Sequence, residues 1–194
     1  MKRVLLGLLV MASVSCGSMT REGTASSYLV VSGLDAASGA EPDEFEGVLE
    51  SDVVTVIEGN GSIFNDPARV RFVLALKDPG PSGSPLTPTP NNAITVDRYR
   101  VRYIRSDGRN VQGVDVPYAF DGAFTATVFD ETEASFTLVR AQAKAEAPLA
   151  GLANSLLVLS TIAEITFYGH DQTGREVITT ARMTVHFANF GDPE

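Results

Sequence analysis

The chain has 194 residues, with 15 Lys and Arg against 24 Asp and Glu for a formal net charge of −9, a single cysteine, no tryptophan and two histidines. Such an acid excess argues against a nucleic-acid partner, and one cysteine excludes both an intramolecular disulfide and a multi-cysteine zinc site. The length suits one domain that buries its core without staples.

The first elements belong to targeting. Lys2 and Arg3 precede an apolar run over residues 4–14 that ends in small residues, the pattern of a signal peptide over 1–15 and too short to span a membrane as a mature helix. Its removal takes two basic residues and deepens the acid excess. The lone cysteine, Cys16, stands where that segment ends. Val14-Ser15-Cys16 followed by Gly17-Ser18 resembles the lipobox of bacterial lipoproteins, with Ser13 where leucine is usual. The resemblance implies that Cys16 is acylated, carries palmitate-type chains and becomes the first mature residue. It also implies a membrane partner reached through that lipid, at the outer membrane or cell surface of a bacterial envelope. Ser13-Val14-Ser15 equally fits ordinary cleavage, which leaves a secreted or soluble periplasmic protein as the alternative. Residues 16–27 are small and polar, a tether reaching roughly 20 Å on average.

Residues 28–194 read as one all-β domain. Residues 28–31 form a short first strand, 36–47 an acidic loop, and 52–57 a β-branched strand. Gly59-Asn60-Gly61 is a tight turn, because the strand and helix that flank a phosphate-binding loop are missing. Residues 68–77 alternate, with Val70, Phe72, Leu74 and Leu76 inward and Arg69, Arg71 and Lys77 outward. Five prolines within residues 78–92 prevent ladder hydrogen bonds and predict a long surface loop. Residues 94–105 alternate again, with Tyr99, Val101 and Tyr103 opposite Arg98, Arg100 and Arg102. If the two strands are neighbours, these arginines form one basic patch able to grip phosphate or carboxylate groups of a partner; otherwise they pair with carboxylates such as Glu164. A turn over 106–110 leads into a weaker strand over 111–118, and 124–129 with 135–140 read as a hairpin around 130–133. The Ala-rich segment 141–159 admits one short helix near Pro148.

Residues 161–187 form the spine, a long hairpin whose register follows from parity. Inward residues on the two arms are Ala163, Ile165 and Phe167 and then Val177, Ala181, Met183, Val185 and Phe187. Only an odd-length loop sets these rows together, which selects Gln172-Thr173-Gly174, with glycine at the left-handed position of a bulged turn. The same register sets Glu164 opposite Arg182, Thr166 opposite Thr180 and His170 opposite Glu176. Seven to nine strands with at most one short helix indicate an immunoglobulin-like antiparallel β-sandwich, with a closed barrel as the alternative.

Chemistry is sparse. The hairpin separates His170 from His186 by roughly 33 Å, too far to share a metal. His170 beside Asp171 and Glu176 is the one candidate for a carboxylate-oriented imidazole, against the simpler reading of an exposed turn residue. Asp115, Asp121 and Asp171 are candidate calcium ligands in loops, though no EF-hand spacing is present. No cofactor is implied. The expectation is a non-enzymatic, lipid-anchored envelope protein with a structural or adaptor role toward another envelope protein. A glycan, small-molecule or calcium-dependent binding module is the alternative.

Overall fold

The computed structural model describes residues 25–191, so Cys16 and the signal segment lie outside the described residues. The chain is all-β. Its strands are β1 (Ser27–Ala36), β2 (Val48–Asp52), β3 (Thr55–Ile57), β4 (Asn60–Ser62), β5 (Asp66–Leu76), β6 (Ile94–Ile104), β7 (Phe120–Val128), β8 (Glu131–Val139), β9 (Leu159–Asp171) and β10 (Glu176–Ala188). One helix of a single turn, α1 (Ala141–Lys144), and 3₁₀ turns at Pro90–Asn92 and Leu149–Leu152 complete the described elements. A three-stranded sheet has the order β1-β5-β8 and a five-stranded sheet the order β2-β10-β9-β6-β7, with β3 and β4 forming a separate ribbon. Both sheets have open edges, so the barrel alternative does not hold.

The inner faces of the two sheets share one core. Phe72 of β5 meets Phe167 of β9 edge-on at 5.0 Å, and Phe136 of β8 meets Tyr99 of β6 at 5.0 Å. Such pairs add specific geometry to the large area that aromatic rings bury. Two tyrosines of β6 also reach across: the Tyr99 hydroxyl donates to the Thr137 carbonyl at 3.1 Å and the Tyr103 hydroxyl to the Leu138 carbonyl at 2.7 Å. Both acceptors belong to β8, an edge strand, so the five-stranded sheet satisfies backbone groups of the other.

The long hairpin has the expected register, with Glu164 opposite Arg182, Thr166 opposite Thr180, His170 opposite Glu176 and His186 opposite Ser160. Its loop closes by a Gly174 N–H bond to the Asp171 carbonyl at 2.9 Å, and Gly174 has φ 78°.

Four expectations need correction. Residues 111–118 form turns with one isolated bridge instead of a strand, because the Val111 and Val116 carbonyls absorb nearby N–H groups and the Asp115 carboxylate accepts from the Val111 N–H at 3.1 Å. The strand expected over 52–57 is broken at residue 53, where the Asp52 carboxylate turns the chain by accepting from the Thr55 hydroxyl at 2.6 Å and the Phe190 N–H at 3.1 Å. The first strand runs on to Ala36. Finally, β7 and β8 do not pair: Phe129-Asp130 carries the chain from one sheet to the other, and the Asp130 carbonyl already accepts from Leu74 of β5 at 2.9 Å.

That two-residue crossing aligns the sheets end to end. The hairpin loop, the Pro-rich loop and the start of β1 at Ser27 lie at one end, called here the tip end. The connections after β1, β2, β6, β8 and β10 lie at the far end.

Candidate functional site

A groove of about 420 Å³ lies on the outer face of the five-stranded sheet near the hairpin tip. Its geometry starts with a bulge in β6. Against β9 the pairing of β6 slips between Val96 and Arg98 and leaves Asp97 as the extra residue, whereas against β7 the extra residue is on β7, where Phe124 and Thr125 lie opposite Asp97. Inward positions change parity there, from Ile94 and Val96 to Tyr99, Val101 and Tyr103, all buried. The bulge aims Asp97 outward at the hairpin, where its Oδ2 lies 3.3 Å from His170 Nδ1. Next along the strand, the Arg98 guanidinium stacks 4.3 Å from the centre of the Tyr168 ring. Glu176, paired with His170, closes the rim.

The partner of His170 is therefore Asp97, with Glu176 beside it. Asp171, expected to orient the imidazole, points elsewhere: its Oδ1 accepts from the Thr173 N–H at 2.8 Å, the Thr173 hydroxyl at 2.7 Å and the Arg175 N–H at 2.9 Å. Burial works to raise the Asp171 carboxyl, but these bonds to Arg175 and Thr173 outweigh it and hold the group below the usual carboxylate range. Asp171 is a turn-builder. The signal that would have found Asp97 is the parity change of the apolar row along β6.

Chemically, the groove offers a carboxylate–imidazole pair about half open to water, a stacked guanidinium and a second carboxylate. It can hold a small polar molecule through donors and acceptors. Thr95, which faces His170 across β6 and β9, shares its hydroxyl hydrogen bond with Thr127 at 3.1 Å.

The arginine rows lie apart. Arg69 and Arg71 are on the outer face of the three-stranded sheet, while Arg98, Arg100 and Arg102 are on the outer face of the other, so no single patch forms. Each has a partner. Arg69 binds Asp35 at 2.9 Å, Arg71 binds Glu131 at 3.1 Å and Glu133 at 3.2 Å, and Arg100 binds Asp121 at 3.1 Å. Arg102 and Arg182 grip Glu164 from two sides, each at 2.6 Å.

Nor do Asp115, Asp121 and Asp171 converge. Asp121 faces Arg100 and Asp171 faces Ile94, six positions apart along β6 or roughly 20 Å. No cluster of three His, Cys, Asp or Glu able to hold a metal occurs among the described residues. At the far end, a cleft of about 280 Å³ is lined by Glu41, Glu44, Glu46, Glu50 and Asp52 and presents a strongly negative surface.

The two ends differ in exposed apolar side chains. Val111, Val114 and Tyr118 of the β6–β7 connection and Leu156, Leu157 and Val158 before β9 all stand exposed at the far end, Leu156 completely. At the tip end Tyr28, Leu86, Phe129 and Ile178 are exposed, spread over four separate segments.

No family model matches the chain, and no curated protein matches it. Among solved structures it is similar to one titled "X-ray structure of Northeast Structural Genomics Consortium target SoR45", at 10% identity and a TM-score of 0.36, over 87% of this chain and 91% of that chain. Likeness at that level assigns neither a family nor an activity.

Proposed function

We propose that this chain is an exported, lipid-anchored protein of the bacterial cell envelope, an immunoglobulin-like sandwich that acts as a structural element or adaptor by binding another envelope protein. The observation that carries this reading is the polarity of the molecule. The segment leading back to Cys16 joins the domain at the tip end, and exposed apolar side chains gather on far-end connections. Soluble surfaces carry scattered apolar residues, but a concentration of them on loops marks contact with a partner. A tether of roughly 20 Å would hold the tip end, with the Pro-rich loop, close to the membrane and turn the far end outward. That arrangement favours the far-end loops over the Pro-rich loop and the arginine rows as the docking surface. The intramolecular pairing of those arginines supports the same preference.

Two experiments test the reading separately. Cys16→Ser moves the protein from the membrane fraction to the soluble fraction; unchanged membrane association refutes the anchor. A photo-crosslinking residue placed at Leu157 captures a defined envelope protein in the native host, whereas the same residue at Leu86 does not. Capture from position 86 alone would reverse the assigned polarity.

The groove beside His170 favours a second reading, a binding module for a small polar molecule or glycan. A ligand that occupied it would raise the thermal midpoint of the wild type and leave Asp97→Ala unshifted.

A further inference from the structure

Among the described residues, the most deeply buried charges are a pair that the groove and the docking surface leave unused. Lys144 of α1 and Asp66 at the start of β5 are 78 residues apart in sequence, and their side chains are 1% and 0% exposed. Lys144 Nζ lies 2.6 Å from Asp66 Oδ1. The remaining acceptor positions are also taken: the Ser51 hydroxyl donates to Oδ2 at 2.5 Å, and the Gly39 N–H donates to Oδ1 at 2.8 Å. The Ala141 N–H, at the start of α1, donates to the side chain of Asn65 at 2.7 Å, so the backbone segments carrying Lys144 and Asp66 are clamped to each other.

We propose that Lys144 and Asp66 condense to an isopeptide bond that links α1 to β5 inside the folded chain. A proton first passes from the ammonium to the carboxylate along their hydrogen bond. The freed amine lone pair then attacks Asp66 Cγ. Negative charge in the tetrahedral intermediate falls on oxygens that already receive the Ser51 hydroxyl and the Gly39 N–H, donors placed as in an oxyanion hole. Collapse breaks one Cγ–O bond, and that oxygen leaves as water with two of the three original ammonium protons. The third proton stays on the amide nitrogen. Atoms and charge balance without an oxidant, a reductant or an added reagent.

Three features favour the step. The pair is held at contact distance by the fold, which removes the entropic cost of bringing an amine to a carboxyl. Burial pushes the Asp66 carboxyl up, against the opposing effects of Lys144, Ser51 and Gly39, and so favours the neutral acid that an amine can attack. A dry site also makes the ionic alternative costly, since two charges must be kept out of water, and an amide removes both.

The test is peptide mapping of the full wild-type chain, purified as it is exported, then unfolded and digested with trypsin. The expected result is a branched peptide joining the Asp66 and Lys144 segments, lighter by one water than the two together, with no cleavage after Lys144. Two linear peptides of unmodified mass, with cleavage after Lys144, would establish an ordinary ion pair and overturn the proposal. Lys144→Arg keeps the positive charge and removes the nucleophilic amine. Its Asp66 peptide should be linear, and its thermal midpoint lower, because a covalent link over so long a loop restricts the unfolded chain. A branched peptide persisting in that variant would place the bond elsewhere. Should Lys144→Arg not fold, the wild-type map alone decides.

Discussion

The segments 120–139 and 159–188 look alike in sequence and differ in space. Each has two alternating apolar arms around a short polar connection, yet β9 and β10 pair as a hairpin while β7 and β8 lie in different sheets. Parity accounts for the difference. In the long hairpin the inward rows are odd-numbered on both arms, and a three-residue loop sets odd residues opposite odd ones. In the other segment the inward rows are even-numbered on both arms, with Phe120, Ala126 and Val128 followed by Phe136 and Leu138, but the connection has two residues. Pairing across it would set Ala126 opposite Glu133 and turn one apolar row to solvent. Crossing between sheets lets both rows face the same core from opposite walls.

The largest effects that test this contrast lie in the core. Phe167→Ala and Phe136→Ala should each destabilise by about 3–5 kcal/mol in urea unfolding, since both rings are packed between the sheets. A β7–β8 hairpin that turned the β8 row to solvent would instead make Phe136→Ala nearly neutral.

A middle-sized effect belongs to the loop that permits the hairpin. Gly174→Val places a β-branched residue at φ 78° and should cost about 1–2 kcal/mol. A neutral result would mean that the bulged three-residue turn is not what closes the arms.

The smallest effects lie on the hairpin's outer face. Arg182, and after it Arg102, hold the Glu164 carboxyl below the usual glutamate range. The contact therefore stabilises the fold above the unfolded glutamate value of about 4.3, and that contribution is lost as the pH falls from there through the lower folded value. Stability measured against pH should show a decline in that acid window that Glu164→Gln reduces. Arg102→Ala at neutral pH should cost only about 0.2–1 kcal/mol, as exposed ion pairs do.

Much of the five-stranded sheet was legible because alternation is a local signal and loop parity turns it into a register. The β9–β10 pairing needed nothing beyond the residues of its own two arms. The β7–β8 crossing follows the same rule, but the polar residues 130–133 also suit a hairpin turn, and only the parity of the two apolar rows separates the alternatives. Asp97 was hidden for a related reason: a bulge shows itself only as a change of parity along the apolar row. Nothing local marks Lys144 or Asp66. One sits in an Ala-rich stretch and the other opens a strand, and their contact is set by how distant segments pack. Residues 111–118 read as a strand from composition, but Asp115 and the Val111 carbonyl consume hydrogen-bonding groups that a strand would have offered to a neighbour.

The crossing at Phe129-Asp130 also fixes which loops share an end, and the proposed polarity of the molecule follows from it. The most direct measurement is the distance between spin labels at Thr125 of β7 and Ala134 of β8, which a hairpin across the two-residue connection would set opposite each other. Sheets pack about 10 Å apart, so crossing keeps the two positions about 10 Å or more apart. A separation near that of directly facing strand residues, about 5 Å between Cβ atoms, would make β7 and β8 a hairpin within one sheet and contradict the two-walled core.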